Sequence, residues 1–183
     1  AGGAYSASSL HELKTRWSDE NHGVVSFNDY RGKYVVLTMV YTTCQYQCPL
    51  LMKKVRDIYD KLGDEKKWTE FVIVTMDPVV DTEEKLSKYK ETQKVQYPNW
   101  HFLRGNERET REFSVLLDFR YQKDMESGHF VHDNKIFLLD RKGEVAHTVE
   151  GMEGDVTPLI KAVQGGKGFF GKIKEFFQKR KGE

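Results

Sequence analysis

The chain joins an apolar run to two closely spaced cysteines in the segment Tyr34-Val-Val-Leu-Thr-Met-Val-Tyr-Thr-Thr-Cys-Gln-Tyr-Gln-Cys-Pro49. The run from Tyr34 to Tyr41 is rich in β-branched residues, which predicts a strand buried on both faces. Proline is tolerated in the first turn of a helix, so Pro49 predicts a helix that begins near Cys48. Cys44 and Cys48 are therefore predicted between the carboxyl end of a strand and the amino end of a helix, where open α/β sheets bind ligands.

Strand and helix patterns alternate along the rest of the chain. Further strands are predicted at Phe71–Met76 and Ile136–Leu139, followed by a hairpin strand at Glu144–Val149. Helices are predicted at Leu50–Leu62, from a capping signal with Asp81 as N-cap to about Val95, at Asn106–Asp118 and at Asp155–Gln164. This order predicts an α/β, thioredoxin-like fold, in which a central mixed sheet has helices on both faces and a C-terminal β-hairpin and helix complete the domain.

Composition narrows the functional classes. The 183 residues include 29 Lys+Arg and 28 Asp+Glu, a net charge of +1, so no global field favours nucleic acid as a partner. The longest apolar run, Val35–Val40, is far shorter than the ~20 residues that cross a bilayer. We divide the chain into a tail at 1–9, one domain at 10–164, and a Gly hinge with a basic amphipathic helix at 165–183.

The two cysteines are the only ones in the chain. A disulfide that closes one short loop cannot stabilise a domain of this size, so the cysteine spacing predicts redox or metal chemistry. The alternative is that both cysteines are small, buried hydrophobic residues. The amino end of a helix stabilises thiolates, which exchange with disulfides or bind soft metals, copper above all. Because two thiolates leave a copper site incomplete, a third ligand is expected from another loop.

Several motifs resemble the Sco/SenC family of thioredoxin-like copper chaperones, which take part in assembling cytochrome c oxidase. The resemblance extends from about Leu10 to Val163. It rests on Tyr41-Thr-Thr-Cys-Gln-Tyr-Gln-Cys-Pro49, Thr75-Met-Asp-Pro-Val-Val-Asp-Thr82, Asn99-Trp100 with Phe102-Leu-Arg-Gly105, and Val131-His-Asp-Asn-Lys-Ile-Phe-Leu-Leu-Asp140. It implies that Cys44, Cys48 and His132 bind copper, as Cu(I) and Cu(II), and that the two cysteines form a redox pair.

The segment around the histidine departs from the family pattern. Family members typically place a small hydroxyl residue and an apolar strand after the histidine, whereas Asp133, Asn134 and Lys135 follow His132 here. His129, three positions earlier, offers a second imidazole. We expect His132 to be the ligand and His129 to contribute little, because His132 is the closer of the two to the predicted strand at Ile136.

A dithiol reductase that keeps partner cysteines reduced without storing copper is the main alternative function. Thioredoxin-type exchange enzymes hold a cis-proline opposite their cysteines, just before the hairpin. None of Pro49, Pro78, Pro98 and Pro158 lies near that position, which favours metal handling over general dithiol exchange. A peroxidase is disfavoured, because Tyr41 stands where peroxiredoxins carry threonine and no proline precedes it.

Three more residues near these motifs admit a structural interpretation. Asp77 and Asp81 match the family's Asp-Pro-x-x-Asp stretch, and we assign Asp81 to a helix N-cap, with contacts to the site or to a partner as the alternative. Met52 lies one turn after Cys48 and is assigned to the core in preference to a role as copper ligand.

The resemblance also implies partners and a location. It implies a copper-binding subunit of a respiratory oxidase as partner and allows for a second partner that acts as thiol reductant. It implies a domain on the periplasmic or intermembrane-space side, held by an amino-terminal membrane anchor outside this chain. In the basic tail, Phe169, Phe170, Ile173, Phe176 and Phe177 share one helix face, which favours membrane-surface contact through residues 169–180 or packing onto the domain itself.

Overall fold

The apolar run before the cysteines forms a central strand of the sheet. In the computed structural model, which describes residues 9–166, the strands are β1 (Trp17–Asp19), β2 (Val24–Val25), β3 (Tyr34–Val40), β4 (Thr69–Thr75), β5 (Trp100–Arg104), β6 (Tyr121–Lys123), β7 (Phe130–His132), β8 (Lys135–Leu139) and β9 (Val145–Glu150). Seven of these described strands form one sheet in the order β2-β1-β5-β4-β3-β8-β9, and β6 pairs with β7 separately. β3, β4 and β5 are parallel and their neighbours antiparallel, so the sheet is mixed, as predicted.

Four α-helices connect or follow these strands in the described part of the chain. They are α1 (Gln47–Lys61), α2 (Glu83–Thr92), α3 (Glu107–Leu116) and α4 (Thr157–Gly165). Helix α1 ends where Gly63 adopts a positive φ of 59°, a conformation that glycine adopts at little cost. Helix α2 ends three residues before the predicted limit at Val95, and β8 and β9 form the predicted hairpin that leads to α4. The thioredoxin-like fold is confirmed.

The core lies on both faces of the sheet centre. Every residue of β4 and all of β3 beyond Tyr34 are buried, which requires covering layers on both sides. The largest fully buried side chains are aromatic: Trp17 meets Phe113 edge-on with ring centroids 5.0 Å apart, and Phe71 stacks on Trp100 at 4.7 Å. Because this core is built from long-range contacts, it holds the carboxyl end of β3, which the cysteines follow, in a fixed position in the fold.

A charged cluster lies at the opposite edge of the sheet, near the start of β4. The buried Glu70 carboxylate bonds to Lys33 Nζ at 2.5 Å and to His101 Nε2 at 2.7 Å. Burial raises the pKa of Glu70, but the hydrogen bonds from His101 and Lys33 lower it by more, so this carboxyl has a pKa below its ordinary value. The cluster joins β3, β4 and β5 far from the cysteines.

Two of the predicted regions fall partly or wholly outside the described residues. These are the tail at 1–9, of which only Ser9 is described, and the basic helix of the hinge-and-tail region at 165–183. Gly165 itself forms the last residue of α4. Between residues 9 and 166, no helix is both long enough and apolar enough to cross a membrane.

Candidate metal centre

The cysteine loop follows directly from the end of β3. After Val40 the chain turns through Tyr41 to Tyr46, and α1 begins at Gln47, so Cys48 lies in the first helical turn with Pro49 after it. A proline there removes no helical hydrogen bond, because the first N–H groups of a helix have no acceptor within it. Cys44 is half-buried and Cys48 fully buried, and both thiols are free.

The structure brings the three predicted ligands together. One ligating atom from each of Cys44, Cys48 and His132 lies within 4.8 Å of the other two. The Cys48 Sγ is 3.9 Å from His132 Nε2, and the backbone N–H of Cys48 donates to Cys44 Sγ at 3.4 Å. His132 ends β7, one strand before β8, and β8 pairs with β3, the strand that the cysteines follow. Two sulfurs and one imidazole nitrogen at this separation fit a soft metal that draws them together.

The imidazole of His132 is oriented by the backbone of the next residue, Asp133. Its Nδ1 is 2.7 Å from the carbonyl oxygen of Asp133, a geometry that places a proton on Nδ1. Nε2 then keeps its lone pair and faces the Cys48 sulfur. Metal-binding histidines commonly use this arrangement, in which a hydrogen bond at one nitrogen selects the other as ligand.

The two thiols differ in acidity. Partial burial raises the pKa of Cys44, but hydrogen bonds from the backbone N–H groups of Cys48 and Tyr46 and from the Tyr41 hydroxyl lower it by more, so its pKa lies below the ordinary thiol value. Burial raises the pKa of Cys48 well above that value, and negative charge on Cys44 raises it further. Cys44 is therefore the more reactive nucleophile, while Cys48 holds its proton until a metal or an electrophilic sulfur replaces it.

Tyr41 is a site residue for which the sequence motifs predicted no role. Its hydroxyl contacts Cys44 and accepts a hydrogen bond from the backbone N–H of Phe130 at 3.4 Å, while its ring lies 5.9 Å from His132 and edge-on to it. Burial raises the pKa of this hydroxyl to about 12, so it remains protonated and donates to the sulfur at neutral pH. A tyrosine immediately after a buried strand, three residues before a cysteine, was the available signal.

The assignment of Asp81 as a helix N-cap is wrong. Thr82 caps α2 by accepting from the Lys85 N–H. Asp81 is instead fully buried, where it accepts from the Thr42 N–H at 3.0 Å, the Thr42 hydroxyl at 2.5 Å and the Thr75 hydroxyl at 2.6 Å. Its carboxylate thus joins the start of the cysteine loop to the end of β4.

Three other candidates lie outside the ligand cluster. Asp77 is buried and binds Lys123 Nζ with both carboxylate oxygens at 3.2 Å, which joins the end of β4 to β6. His129 is exposed in the turn between β6 and β7 and is not a member of the cluster formed by the described residues. Met52 is fully buried and belongs to the core, as predicted.

The family follows from a comparison of the sequence with protein-family profiles. The profile of SCO1/SenC matches residues 11–165 of this chain. This chain belongs to the SCO1/SenC family. A member from Bacillus subtilis, described as an SCO1 protein homolog, is 24% identical over 131 residues, which cover 70% of this chain and 68% of the relative. A SCO2-like protein of Rickettsia prowazekii is 28% identical over 131 residues, 68% of this chain and 62% of the relative.

Solved structures of SCO1/SenC proteins share the fold. ScoI of Bradyrhizobium japonicum, solved with copper bound, has a TM-score of 0.70 at 18% identity and covers 82% of this chain and 95% of its own. BsSco, described as a member of the Sco family of cytochrome c oxidase assembly proteins with a disulfide switch, has a TM-score of 0.72 at 22% identity, covering 82% and 89%. The aligned region spans about two thirds of the length of the curated relatives.

Proposed function

We propose that this chain binds copper through Cys44, Cys48 and His132 and acts as a metallochaperone in assembling the copper centre of cytochrome c oxidase. The observation that carries the proposal is the convergence of two sulfurs and one imidazole nitrogen within 4.8 Å. Thiolate and imidazole are the ligands that copper favours in proteins. The copper bound to the Bradyrhizobium ScoI and the oxidase-assembly description of BsSco support the same function here.

The acidity of the thiols supports an order of loading. Cys44 is half-exposed and has the lower pKa, so its thiolate meets incoming copper first. Copper then displaces the proton of the buried Cys48, and His132 Nε2 provides the third ligand. Release proceeds in reverse, because a partner's ligands reach Cys44 before they reach the buried sulfur.

Thiol–disulfide exchange is a second candidate, favoured by the same difference between the cysteines. The Cys44 thiolate attacks one sulfur of a partner disulfide and releases the other partner sulfur as a thiolate. The Cys48 thiolate then attacks Cys44, which forms the Cys44–Cys48 disulfide and leaves the partner as a dithiol. A dithiol reductant must restore the pair, so this function requires a thiol reductant as second partner.

A copper titration under defined redox conditions tests the proposal. Fully reduced protein is expected to bind one copper with intense thiolate-to-Cu(II) charge-transfer bands, and protein with a Cys44–Cys48 disulfide is expected to bind none. Cys44→Ser and Cys48→Ser should each lose tight binding while remaining folded. Stoichiometric copper retained by the oxidised protein would refute the site, and insulin reduction without copper retention would favour the reductase.

The location and the partners form part of the same proposal. An oxidase copper subunit as recipient fits a half-exposed Cys44 at the sheet edge, where a docked protein can reach the sulfur. The periplasmic or intermembrane-space location, the membrane anchor outside this chain and membrane contact through residues 169–180 rest on the family and on the basic tail of the sequence. Each stays a prediction.

A further inference from the structure

The imidazole of His132 has contacts on more than one side. The Phe119 ring lies nearly parallel to it, at an interplanar angle of 18° and a centroid distance of 6.3 Å. The Tyr41 ring meets it edge-on at 5.9 Å, and the Asp133 carbonyl accepts from Nδ1 at 2.7 Å. The segments that carry Phe119 and Asp133 therefore decide where Nε2 points relative to Cys48.

A buried ammonium group links those two segments. The Lys135 side chain is only 10% exposed, and its Nζ donates to the Asp118 carbonyl oxygen at 2.6 Å. The same Nζ lies 3.5 Å from Asp133 Oδ2 and 3.7 Å from Glu150 Oε1. A buried charge is retained only where hydrogen bonds and counter-charges offset its desolvation, and Lys135 has both.

The Asp118 contact fixes the residue that precedes Phe119. Asp118 has a φ of 49°, in the left-handed region that residues other than glycine rarely adopt. The bond from Lys135 to its carbonyl holds the backbone in this conformation, and the conformation directs the next side chain, Phe119, into the protein beside the imidazole. Without the ammonium group, the carbonyl loses the partner that stabilises this turn.

The contact between Lys135 and Asp133 helps to hold Asp133, the residue that follows His132. The Asp133 N–H donates to the Arg120 carbonyl oxygen, and the Arg120 N–H donates to Asp133 Oδ2, both at 2.8 Å. Lys135 Nζ lies 3.5 Å from the same oxygen. Asp133 is thus attached to the Asp118–Arg120 turn through its own side chain, which Lys135 helps to place. The carbonyl of the same residue accepts the hydrogen bond from His132 Nδ1.

We propose that Lys135 is a positioning residue for His132. Through Asp118 and Asp133, Lys135 fixes the stacking and the tautomer of the His132 imidazole. The position is one where the resemblance to the Sco/SenC pattern implies an apolar residue, so the device distinguishes this chain from that pattern. The inference rests on the proposed function for its copper readout, whereas its readout in copper-free protein is independent of that function.

The test compares the wild type with Lys135→Met, which keeps the length of the side chain and removes its charge. In reduced, copper-free protein at a pH where the imidazole is neutral, nitrogen-15 shifts of the wild type should show His132 with its proton on Nδ1. In Lys135→Met we expect a mixture of tautomers, an affinity for Cu(II) lowered by roughly tenfold, and shifted charge-transfer bands. Lys135→Arg should restore all three, because it returns a buried cation.

Lys90→Met is the matched control. Lys90 is also nearly buried and holds Glu20 and the Trp100 carbonyl oxygen, in α2 and away from His132. The Lys90→Met variant should lose stability without a change in the nitrogen-15 shifts of His132. If Lys135→Met shows the same loss with unchanged shifts and unchanged Cu(II) affinity, Lys135 is only structural and the proposal is wrong.

A second variant covers the case in which Lys135→Met does not fold. Phe119→Leu removes the stacked ring and keeps an apolar side chain, so it should move the His132 shifts in the same direction as loss of the ammonium group. Unchanged shifts in Phe119→Leu would overturn the proposed route. If the wild type binds no copper, the proposed function fails, and the shifts of the copper-free protein still decide the role of Lys135.

Discussion

Replacing Asp81 by alanine should loosen the cysteine loop and destabilise the whole domain. The carboxylate is fully buried and accepts three hydrogen bonds, from the N–H and hydroxyl of Thr42 and from the hydroxyl of Thr75. Thr42 begins the cysteine loop and Thr75 ends β4. Removing the carboxylate therefore leaves donors from two elements without their acceptor in the interior.

The expected cost follows from these three bonds. A hydrogen bond to a charged group contributes about 1.5–3 kcal/mol, and the freed threonine hydroxyls can turn toward other acceptors, so we expect Asp81→Ala to cost about 3–5 kcal/mol. Asp81→Asn keeps an acceptor oxygen of the same size and should cost about 1–2 kcal/mol. Asp57→Ala on α1 is the control and should cost less than about 0.5 kcal/mol, because its carboxylate is half-exposed and, among residues 9–166, pairs only with Lys53.

Urea unfolding of reduced protein at pH 7 measures these differences. Thr75→Val removes one of the three donors, so its cost and that of Asp81→Asn should be less than additive in the double variant, as expected for groups in direct contact. A free energy of unfolding for Asp81→Ala within about 1 kcal/mol of the wild type would refute the reasoning. Additive costs of Thr75→Val and Asp81→Asn would show that the two side chains do not interact.

Three further predictions concern single side chains. In reduced protein, iodoacetamide should modify Cys44 much faster than Cys48, as peptide mapping would show, because Cys44 is more exposed and has the lower pKa; equal rates would contradict the assigned order. His132→Ala should strongly weaken Cu(II) binding and alter the charge-transfer bands while His129→Ala changes little, and the opposite result in a titration would place the ligand in the β6–β7 turn. The effect of burial on the pKa of Glu70 is outweighed by hydrogen bonds from His101 and Lys33, which lower this pKa in the folded state below its ordinary value of 4.5. The ionised carboxylate therefore stabilises the fold fully above that value, and this stabilisation is lost as the pH falls through the folded pKa, so urea unfolding should depend less on acid pH in Glu70→Gln.

The centre of the fold was predictable because its signals are local. An apolar, β-branched run gave β3 within one residue, and helical spacing with a terminal glycine gave the end of α1. The hairpin of β8 and β9 followed from two short runs around Gly143, which has a φ of 81°. Cys44 lies between β3 and α1, Cys48 lies in α1, and His132 lies shortly before β8, so the three candidate ligands could be named from the sequence and its family resemblance.

The strands β1, β2, β5, β6 and β7 were not predicted, because nothing local distinguishes them from loops. β1 has three residues and β2 has two, too few for a pattern of alternation. β5 mixes apolar residues with His101 and Arg104, and it is a strand because it pairs with β4 on one side and β1 on the other. Within the described part of the chain, β6 and β7 pair only with each other, through three residues each.

The buried charges at the site were harder to predict than its ligands, and for a related reason. Asp81 precedes a helix and matches a capping signal, yet Thr82 takes the cap and leaves the Asp81 carboxylate free to bind Thr42, 39 residues away in sequence. Lys135 is an unusual residue for the start of a buried strand, and its partners lie in the turn after α3 and in β9. In each case the sequence shows a charged residue beside an element of the site. Only the fold brings up the hydrogen-bond partners and opposite charges that offset the cost of burying it. Since each charge acts at a distance from the ligands, we expect its loss to change how firmly the ligand set is held while leaving its composition unchanged.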